Sequence, residues 1–305
     1  MISIVIPVFN SGAAMLRDCY DALGPALAAM SEPAEIIFVD DGSRDDTLET
    51  LKVIQRADKR VRVLELAANF GQHAALSAGF DAVRGDVVVT MDVDLQADLV
   101  DIPRMIAPLR QGYDLVSGVR TDRRDPFMRR LASRLVTSLV AFMTGVRLRD
   151  VGCPFNAFTG EVAKSLSTFG ELRRFLKPLA VRVARRVTEV DVVHRPRARR
   201  TSYSSTGLMR LFMDFFVNSV ADVFAWVFCG AAAISLVGAL AFAMAMVRWL
   251  QGAVAAGVVL AAIAFTLAAA LVALLGLAGD YVQRIYRQSS GRPFYLVRRV
   301  YETRM

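Results

Sequence analysis

The sequence predicts an α/β fold, in which a mostly parallel sheet carries helices on both faces, followed by a region of long apolar helices. From residue 1 to about residue 120, short β-branched runs alternate with segments of helical periodicity, which is the pattern of strands joined by crossover helices. Further along, two stretches without any charged residue each exceed the ~20 residues that span a bilayer as a helix. The chain is therefore expected to combine a sheet domain with a membrane hairpin.

The expected strands and helices alternate in order along the first region. The strands are Ile2–Pro7, Glu35–Val39, Arg62–Leu66, Val87–Thr90 and Asp114–Ser117, and the helices between them are Ala13–Met30, Asp45–Ala57, His73–Val83 and Pro103–Gln111. Val87–Thr90 is the clearest strand, because a short apolar run bounded by polar residues is typical of the centre of a parallel sheet. Ligands bind such sheets beyond the carboxyl ends of the strands, so the site is expected there.

Three polar motifs fall at those strand ends, namely Pro7–Asn10, Asp40–Ser43 and Asp92–Gln96. In the last of them, Asp92 and Asp94 are one residue apart and point the same way, and two such carboxylates are costly to bury as bare charges. Hard oxygen ligands at this spacing suit Mg²⁺ or Mn²⁺ carrying a diphosphate. Taken alone, the motif is equally compatible with a solvated acidic turn.

The segment IIFVDDGS places two carboxylates, Asp40 and Asp41, at the end of a strand. Gly42 lets the backbone turn sharply before a helix that Ser43 or Asp45 is expected to cap. A carboxylate at this place can accept a hydrogen bond from a nucleobase or ribose, and capping explains one acidic residue but not two. No GxGxxG motif follows the first strand, which disfavours a dinucleotide-binding dehydrogenase.

Two further segments have the periodicity of amphipathic helices. Met128–Val146 carries arginines on its polar side and is expected either to pack on the core or to lie at a membrane surface. Gly207–Asp222 places its apolar side chains on one face. Because this second helix directly precedes the first uncharged stretch, a position in the membrane interface is favoured.

The uncharged stretches are Val223–Val247 and Ala253–Gly279, separated by Arg248–Gly252, and they predict a tight transmembrane hairpin. Arginines are frequent before and after the hairpin but not in its loop, so the positive-inside rule places the sheet domain and both termini in the cytoplasm. The net charge of +8 suits anionic lipid headgroups. Nucleic acid is disfavoured, because no basic recognition helix is evident.

These features divide the chain into four expected regions. They are a sheet domain at 1–205, an interfacial helix at 206–222, a membrane hairpin at 223–280 and a basic cytoplasmic tail at 281–305. The first residues are expected to form a strand rather than a secretory signal. Cys19, Cys153 and Cys229 have no zinc or redox spacing and are expected to be reduced. His194 is expected at the end of an edge strand.

Five motifs occur in the order IVIPVFN, VDDGSRDDT, NFGQHAALSAGF, RGD and DVDLQ. In this order they resemble the GT-A fold, family 2 glycosyltransferases. The uncharged spans and GYDLVSGVR are similar to the polyprenyl-phosphate branch, which includes dolichyl-phosphate mannose synthase and bacterial undecaprenyl-phosphate sugar transferases. Within that branch, GQH and DVGC resemble the undecaprenyl-phosphate 4-deoxy-4-formamido-L-arabinose transferases. The resemblance covers essentially the whole chain.

The resemblance implies an inverting, metal-dependent membrane enzyme of the cell envelope. Such an enzyme transfers a sugar from a nucleotide sugar, here expected to be UDP-linked, to undecaprenyl phosphate on the cytoplasmic leaflet of the inner membrane, and can form homo-oligomers. A processive polysaccharide synthase remains an alternative, although it would need more spans. A non-catalytic membrane scaffold that binds nucleotide sugars is the other alternative.

The resemblance also implies roles for individual residues. The implied donor pocket consists of Pro7, Val8, Asn10, Asp40, Asp41, Gln72 and Asp92. The implied ligands of Mg²⁺ or Mn²⁺ are Asp94 and Gln96, and the implied catalytic set is Asp92, Asp94, Arg120 and Asp150, with Arg120 closing over the donor and Asp150 near the sugar. The implied contacts of the acceptor lipid phosphate are Arg130, Ser133, Arg197 and Arg200.

The chain departs from the family pattern in three places. Ser11 follows Asn10 where the family has glutamate, Asn156 stands where an arginine is frequent, and RARRTSY is only a loose version of the late basic motif. No histidine is needed as a general base, because a lipid phosphate is already ionised at neutral pH and requires only positioning. His73 is accordingly expected to be a local hydrogen-bonding residue.

Overall fold

The structure is a computed structural model. It describes residues 1–28, 30, 32–121, 145–166, 176–193 and 293–303, together with isolated positions at 137, 138, 141 and 169 and between 247 and 285. The chain divides into two compact units, of which the first comprises residues 1–212 and 293–305 and the second residues 213–292. Every described strand belongs to one sheet in the first unit.

The described part of the first unit contains eight strands and six α-helices. The strands are β1 (Ile2–Val8), β2 (Ala34–Asp40), β3 (Val61–Leu66), β4 (Val87–Thr90), β5 (Leu115–Arg120), β6 (Asn156–Thr159), β7 (Val187–Val192) and β8 (Val297–Tyr301). The helices are α1 (Gly12–Ala28), α2 (Thr47–Ala57), α3 (Gln72–Ala82), α4 (Ile102–Arg110), α5 (Gly160–Ser165) and α6 (Leu176–Val183). A short 3₁₀ turn at Leu99–Asp101 precedes α4.

The strands are ordered β7-β5-β6-β4-β1-β2-β3-β8 across the sheet. β1 pairs in parallel with β2 and β4, and β3 extends this parallel arrangement beyond β2. β6 is antiparallel to both β4 and β5, so that β5 points the same way as β4, and β7 is parallel to β5. β8 runs antiparallel along β3. The expected mostly parallel sheet is therefore confirmed.

The alternation expected for the first 120 residues is also confirmed. Each of those elements is present with its ends within three residues of the expected ones, and β4 matches at both ends. The edge strand expected before His194 is β7. The helix after β2 begins at Thr47 rather than at Asp45, although the Asp45 carboxylate accepts a hydrogen bond from the Thr47 amide.

The sheet separates two apolar cores, because both of its faces are covered by helices. All of β1 is buried, and its residues alternate between the two faces. Ile4 and Ile6 pack in the core that includes residues of α1, α2 and α4, whereas Val5 packs in the core that includes residues of α3, α5 and α6. This double burial explains why β1 reads as a continuous apolar run.

A network of charged side chains closes the amino ends of the central strands. Glu35 at the start of β2 accepts hydrogen bonds from Arg62 Nη1 at 3.0 Å and from the Ser3 hydroxyl. Arg62 Nε and Arg84 Nη2 both donate to the Glu302 carboxylate, at 2.9 and 2.8 Å. Carboxylates and guanidinium groups are therefore matched with one another at this end of the sheet.

The C-terminal segment is part of the sheet. β8 pairs with β3 through Val63 and Tyr301, and the Tyr301 hydroxyl donates to Glu65 Oε2 at 2.7 Å. Arg298 Nη1 donates to Glu65 Oε1 at 3.3 Å. The sequence pattern placed these residues in a basic tail and did not predict the strand, because the partner β3 is more than 200 residues earlier in the chain.

The second unit is described at isolated positions between 247 and 285. Those positions include exposed apolar side chains, among them Leu260, Leu267, Leu271 and Leu275. Among the residues that the structure describes, no helix has the length and hydropathy needed to cross a membrane. Most of the expected hairpin lies outside the described residues, and the hairpin stays a prediction.

Candidate active site

The carboxyl ends of β1, β2, β4 and β5 lie along one edge of the sheet, because these strands point the same way. The three polar motifs lie at or just after the ends of β1, β2 and β4, and Arg120 is the last residue of β5. The segment that follows β3 leads to Gln72 at the start of α3. The topology thus brings together the residues that the sequence marked as a donor and metal site.

The loop after β1 and the loop after β2 are bonded to each other. Asn10 has the unusual φ of 46°, its amide donates to Ser43 Oγ at 3.0 Å, and its Oδ1 accepts from the Arg44 amide at 2.9 Å. Pro7 and Val8 lie buried within β1. Of the three expected donor residues from this strand, Asn10 is therefore the one exposed at the edge.

The two adjacent carboxylates after β2 have different surroundings. Asp40 is 1% exposed and accepts from the Ser43 amide at 3.3 Å. Asp41 is 3% exposed and accepts from the amides of Phe70 and Gly71, at 2.7 and 2.8 Å. Burial raises the pKa of both carboxyl groups above the ordinary value. Asp41 therefore fixes the loop that precedes α3.

Gly42 allows the loops after β2 and β3 to touch. Its φ is +70°, and a Cβ at this position would lie 2.6 Å from the carbonyl carbon of Ala68 and 2.8 Å from the Asn69 nitrogen. A side chain is excluded both by this contact and by the left-handed backbone. The turn predicted from the sequence thus also sets how closely the two loops approach.

Gln72 and Asp92, both expected near the donor, are hydrogen bonded to each other. Gln72 is the first residue of α3, and its Nε2 donates to Asp92 Oδ1 at 2.7 Å. Because Asp41 binds the backbone of the two residues just before Gln72, the three motifs form one connected polar surface. The start of α3 also adds the positive end of the helix dipole, which favours a phosphate nearby.

The proposed metal ligands follow in a strained turn. Leu95, between Asp94 and Gln96, has a φ of 52°, which a non-glycine residue rarely adopts. The backbone amide of Gln96 donates weakly to Asp94 Oδ1 at 3.4 Å. The buried side-chain Nε2 of Gln96 has no hydrogen-bond partner among the described residues. Such strain is typical of functional turns that a ligand completes.

Oxygen ligands from this turn fit a divalent cation that takes its other ligands elsewhere. Within the described part of the chain, no group of three or more His, Cys, Asp or Glu residues is placed to hold a metal ion. Mg²⁺ is commonly held by one or two carboxylates together with water and substrate phosphates. Asp94 and Gln96 supply side-chain oxygens of the kind that such a partly hydrated metal takes as ligands.

Arg120 and Asp150 form a bidentate ion pair at the end of β5. Arg120 Nε donates to Asp150 Oδ2 at 2.7 Å, and Arg120 Nη2 donates to Oδ1 at 2.8 Å. Their side chains are 17% and 2% exposed, and the Gly152 amide donates to Asp150 Oδ1. The sequence implied separate roles for these two residues, whereas the structure joins them in one unit.

Lys177 is a residue beside the site that the sequence reading missed. It is 8% exposed, and its Nζ donates to the carbonyl oxygens of Asp150 and Cys153, at 2.7 and 3.3 Å. Asn156 Nδ2 donates to the same Cys153 carbonyl at 3.0 Å. A signal was available, because Lys177 lies on the same helical face as the buried Ala180 and Val181.

Several expected contacts lie outside the described residues. These are Arg130, Ser133, Arg197 and Arg200, all expected at the acceptor phosphate, together with His194. His73 is described, and its backbone carbonyl accepts from the Ser77 hydroxyl at 2.8 Å. The acceptor half of the predicted site thus stays a prediction.

Comparison with known families gives a match over half of the chain. The sequence model of Glycosyl transferase family 2 matches residues 3–164. A curated relative, the undecaprenyl-phosphate 4-deoxy-4-formamido-L-arabinose transferase of Edwardsiella ictaluri (strain 93-146), is 35% identical over 305 residues, which cover 98% of this chain and 94% of the relative.

Comparison with solved structures gives a likeness in fold. Glucosyl-3-phosphoglycerate synthase from Mycobacterium tuberculosis, in complex with Mn²⁺, uridine-diphosphate-glucose and phosphoglyceric acid, has a TM-score of 0.51 at 20% identity, over 72% of this chain and 79% of that one. Mannosyl-3-phosphoglycerate synthase from Rubrobacter xylanophilus has a TM-score of 0.52 at 14% identity, over 73% and 76%. These matches confirm the expected GT-A-like α/β fold.

Proposed function

The chain belongs to glycosyl transferase family 2, and from this premise we propose that it transfers a sugar from a UDP-linked donor to undecaprenyl phosphate. The observation that carries the proposal is the 35% identity, along nearly the whole of both chains, to a relative named for transfer to undecaprenyl phosphate. A match confined to the sheet domain would support a glycosyltransferase but would not bear on the acceptor.

The donor is proposed to bind along the edge formed by the first three strand ends. Asn10 is exposed there, Asp40 and Asp41 are buried, and Gln72 is hydrogen bonded to Asp92 at the start of α3. Carboxylates suit the hydroxyl and N–H groups of a nucleoside, and a helix start suits its phosphates. The mycobacterial protein of similar fold was solved with uridine-diphosphate-glucose, which supports a UDP-linked donor here.

A divalent metal, Mg²⁺ or Mn²⁺, is proposed to be held on the diphosphate by Asp94 and Gln96. When bound, such a metal neutralises the negative charge that grows on the departing nucleoside diphosphate. The complex of the mycobacterial protein also contains Mn²⁺. Support from this chain itself is the strained turn at Leu95 and the two oxygen-bearing side chains that flank it.

Arg120 is proposed to stabilise the departing diphosphate from the other side of the site. Its guanidinium is fixed by two hydrogen bonds to Asp150, so that little reorganisation is needed when charge develops. Asp150 holds the arginine in place and is proposed to lie near the sugar. The proposal thus gives these two residues one shared task.

The acceptor phosphate needs positioning rather than deprotonation, because it is already ionised at neutral pH. Direct attack of its oxygen on the anomeric carbon breaks the bond to the diphosphate and inverts that carbon, giving a lipid monophosphate sugar and UDP. Arg130, Ser133, Arg197 and Arg200 are proposed to hold the phosphate. The chain is proposed to lie in the inner membrane through residues 223–280, with the sheet domain and both termini in the cytoplasm.

The deciding experiment compares purified full-length protein with its Asp94→Asn variant. The assay supplies undecaprenyl phosphate, Mn²⁺ and a panel of UDP- and GDP-sugars, and it detects both the nucleoside diphosphate and the lipid product. We expect one UDP-sugar to be turned over, and Asp94→Asn to lower kcat by about 100-fold or more. Asp18→Asn, which removes an exposed carboxylate on α1, serves as the matched control and should stay within about twofold of the wild type.

Each alternative has its own outcome in this assay. Full activity of Asp94→Asn would contradict the proposed metal site. No release of UDP, together with nucleotide-sugar binding measured by calorimetry on the same protein, would identify a non-catalytic scaffold. A product longer than one sugar would identify a processive synthase.

A further inference from the structure

Lys177 is hydrogen bonded to the segment that carries Asp150, the ion-pair partner of Arg120. Its side chain extends from the start of α6, is almost fully buried and donates to two carbonyl oxygens of the segment between β5 and β6. A buried ammonium group is unfavourable unless polar groups surround it. A lysine on the apolar face of α6 is therefore unfavourable for stability by itself, and the two carbonyl oxygens that accept from its ammonium group compensate for this.

The segment that Lys177 binds also lies against β5, since the Gly118 backbone amide donates to the Phe155 carbonyl oxygen at 3.0 Å. We name residues 150–153 the clamp loop. A Cβ at Gly118 of β5 would lie 2.5 Å from the Phe155 oxygen and 3.0 Å from Cys153 Sγ. A Cβ at Gly152 would lie 3.1 Å from Arg120 Nη2. A side chain at Gly118 would therefore collide with this segment, and one at Gly152 would crowd the Arg120 guanidinium.

The ammonium of Lys177 fixes the clamp loop at both of its ends, since it binds the first and the last carbonyl of residues 150–153. Asp150 is the first of these residues, and its carboxylate in turn holds Arg120 by two hydrogen bonds. The order of contacts is therefore Lys177, the clamp loop, Asp150 and Arg120. A shift of the loop moves the guanidinium directly.

We propose that Lys177 is a positioning residue, which holds the clamp loop so that Asp150 presents Arg120 to the departing diphosphate. The role of Arg120 in this inference rests on the proposed function, whereas the contacts of Lys177 are observed in the structure. Lys177 itself contacts backbone carbonyls of the loop, and it acts on the reaction through Arg120.

The charges around Lys177 agree with this task. Burial lowers the pKa of Lys177 to about 8, while Cys153, Asp150 and Glu189 act to raise it and Arg120 acts to lower it. Lys177 therefore begins to lose its proton at mildly alkaline pH. A neutral amine holds carbonyl oxygens less strongly than an ammonium, so the clamp loop is expected to loosen between pH 7 and 9.

Amide hydrogen exchange tests the inference without any assumption about activity. In Lys177→Met, exchange in residues 150–156 should be about tenfold faster than in the wild type, whereas β1, β2 and β3 should exchange as before. Arg149→Met is the matched control. Arg149 is an exposed cation just before the clamp loop, and it forms ion pairs with Glu189 and Asp191 instead of binding the loop's carbonyl oxygens. Its exchange in residues 150–156 should stay within about twofold of the wild type.

Steady-state kinetics and the pH dependence of exchange give a second test of the role of Lys177. Lys177→Met should lower kcat by at least about tenfold with a nearly unchanged KM for the donor, and Lys177→Arg should restore most of the loss. In the wild type, loop exchange corrected for its chemical rate should rise from pH 7 to 9. In Lys177→Arg it should stay flat, because arginine keeps its charge.

The two proposals fail in different ways. Unchanged exchange in residues 150–156 of Lys177→Met would overturn the role of Lys177, as would an equal increase in all strands, which would mark a general loss of stability. A wild-type protein that transfers no sugar would overturn the proposed function, and the exchange measurement would still decide the role of Lys177.

Discussion

The two ends of the central sheet differ in the groups that bind their carboxylates. At the amino ends, carboxylates meet cations, as Glu35 meets Arg62, and Asp86 meets Arg110 and the N-terminal ammonium. At the carboxyl ends, Asp40 and Asp41 are buried against backbone amides. Carboxylates pair with cations at the amino ends, whereas at the carboxyl ends Asp40 and Asp41 are held by backbone amides and Arg120 pairs with Asp150, where a cation and a polar ligand are proposed to bind.

The pKa shifts follow the same division. The partners of Asp86, first the N-terminal ammonium and then Arg110, hold the pKa of its carboxyl well below the ordinary value. Burial raises the pKa of Asp40 and of Asp41, against the effect of their backbone hydrogen bonds. Ionisation therefore favours folding at the amino end and opposes it at the carboxyl end. This is the pattern expected when part of a sheet is shaped for a ligand rather than for stability.

The largest effect is expected where the carboxyl end has its own ion pair. Arg120→Met should destabilise the protein by about 3–5 kcal/mol, because it removes the guanidinium that forms two hydrogen bonds with the buried Asp150 carboxylate. The matched change at the amino end, Arg110→Met, should cost less than about 1 kcal/mol, because Arg110 and its partners are largely solvated. Denaturant unfolding of both variants measures the difference.

The double variant Arg120→Met/Asp150→Asn sharpens this result. It should recover part of the stability that the single change loses, since the buried side chain whose guanidinium partner was removed is then neutral. A double variant that is less stable than Arg120→Met would show that packing, rather than the unpaired charge, dominates at this place.

A smaller effect is expected from the backbone contact between the loops after β2 and β3. Gly42→Ala should destabilise the protein by about 2 kcal/mol, because the new Cβ meets the backbone at Ala68 and Asn69 in a left-handed conformation. Gly24→Ala, inside α1 with nothing within 4 Å of the new Cβ, should instead stabilise it by about 0.5–1 kcal/mol. Thermal unfolding of the two variants should show shifts of opposite sign.

The smallest effect concerns pH. The contribution of Asp86 to stability is complete above its unfolded pKa of about 4 and is lost as the pH falls below that value. For Asp40 the sign is reversed, because its raised pKa favours the fold at low pH, and this contribution is lost as the pH rises through the folded pKa.

Unfolding free energies at pH 3 and pH 7 test this reversal. Asp86→Asn should be more destabilising at pH 7 than at pH 3, by less than about 1 kcal/mol because the carboxylate is largely solvated. Asp40→Asn should be less destabilising at pH 7 than at pH 3. The same sign for both variants would contradict the comparison between the two ends.

The parts of the fold that the sequence predicted are those governed by local pattern. β4 was predicted at both ends, because a four-residue apolar run between polar residues leaves little choice. The motifs at Asn10, Asp40 and Asp92 were placed at one edge, because parallel strands bring their carboxyl ends together. β8 was not predicted, since its pairing with β3 depends on residues that are far apart in the chain.

The parts of the site that the sequence left out depend on partners distant in the chain. The bidentate pairing of Arg120 with Asp150 joins residues separated by 30 positions, and neither residue carries a local signal for the other. Lys177 reaches the clamp loop from a third segment.

The pairing of β8 with β3 has a consequence for biosynthesis. Residues 213–292 lie in the sequence between β7 and β8. During synthesis, β3 therefore has no β8 to pair with until about 230 more residues have been made. An open strand edge can pair with another chain during this interval. The sheet of the nascent chain therefore stays incomplete until β8 has left the ribosome. Nascent chains stalled before β8 should be the ones most accessible to chaperones and proteases.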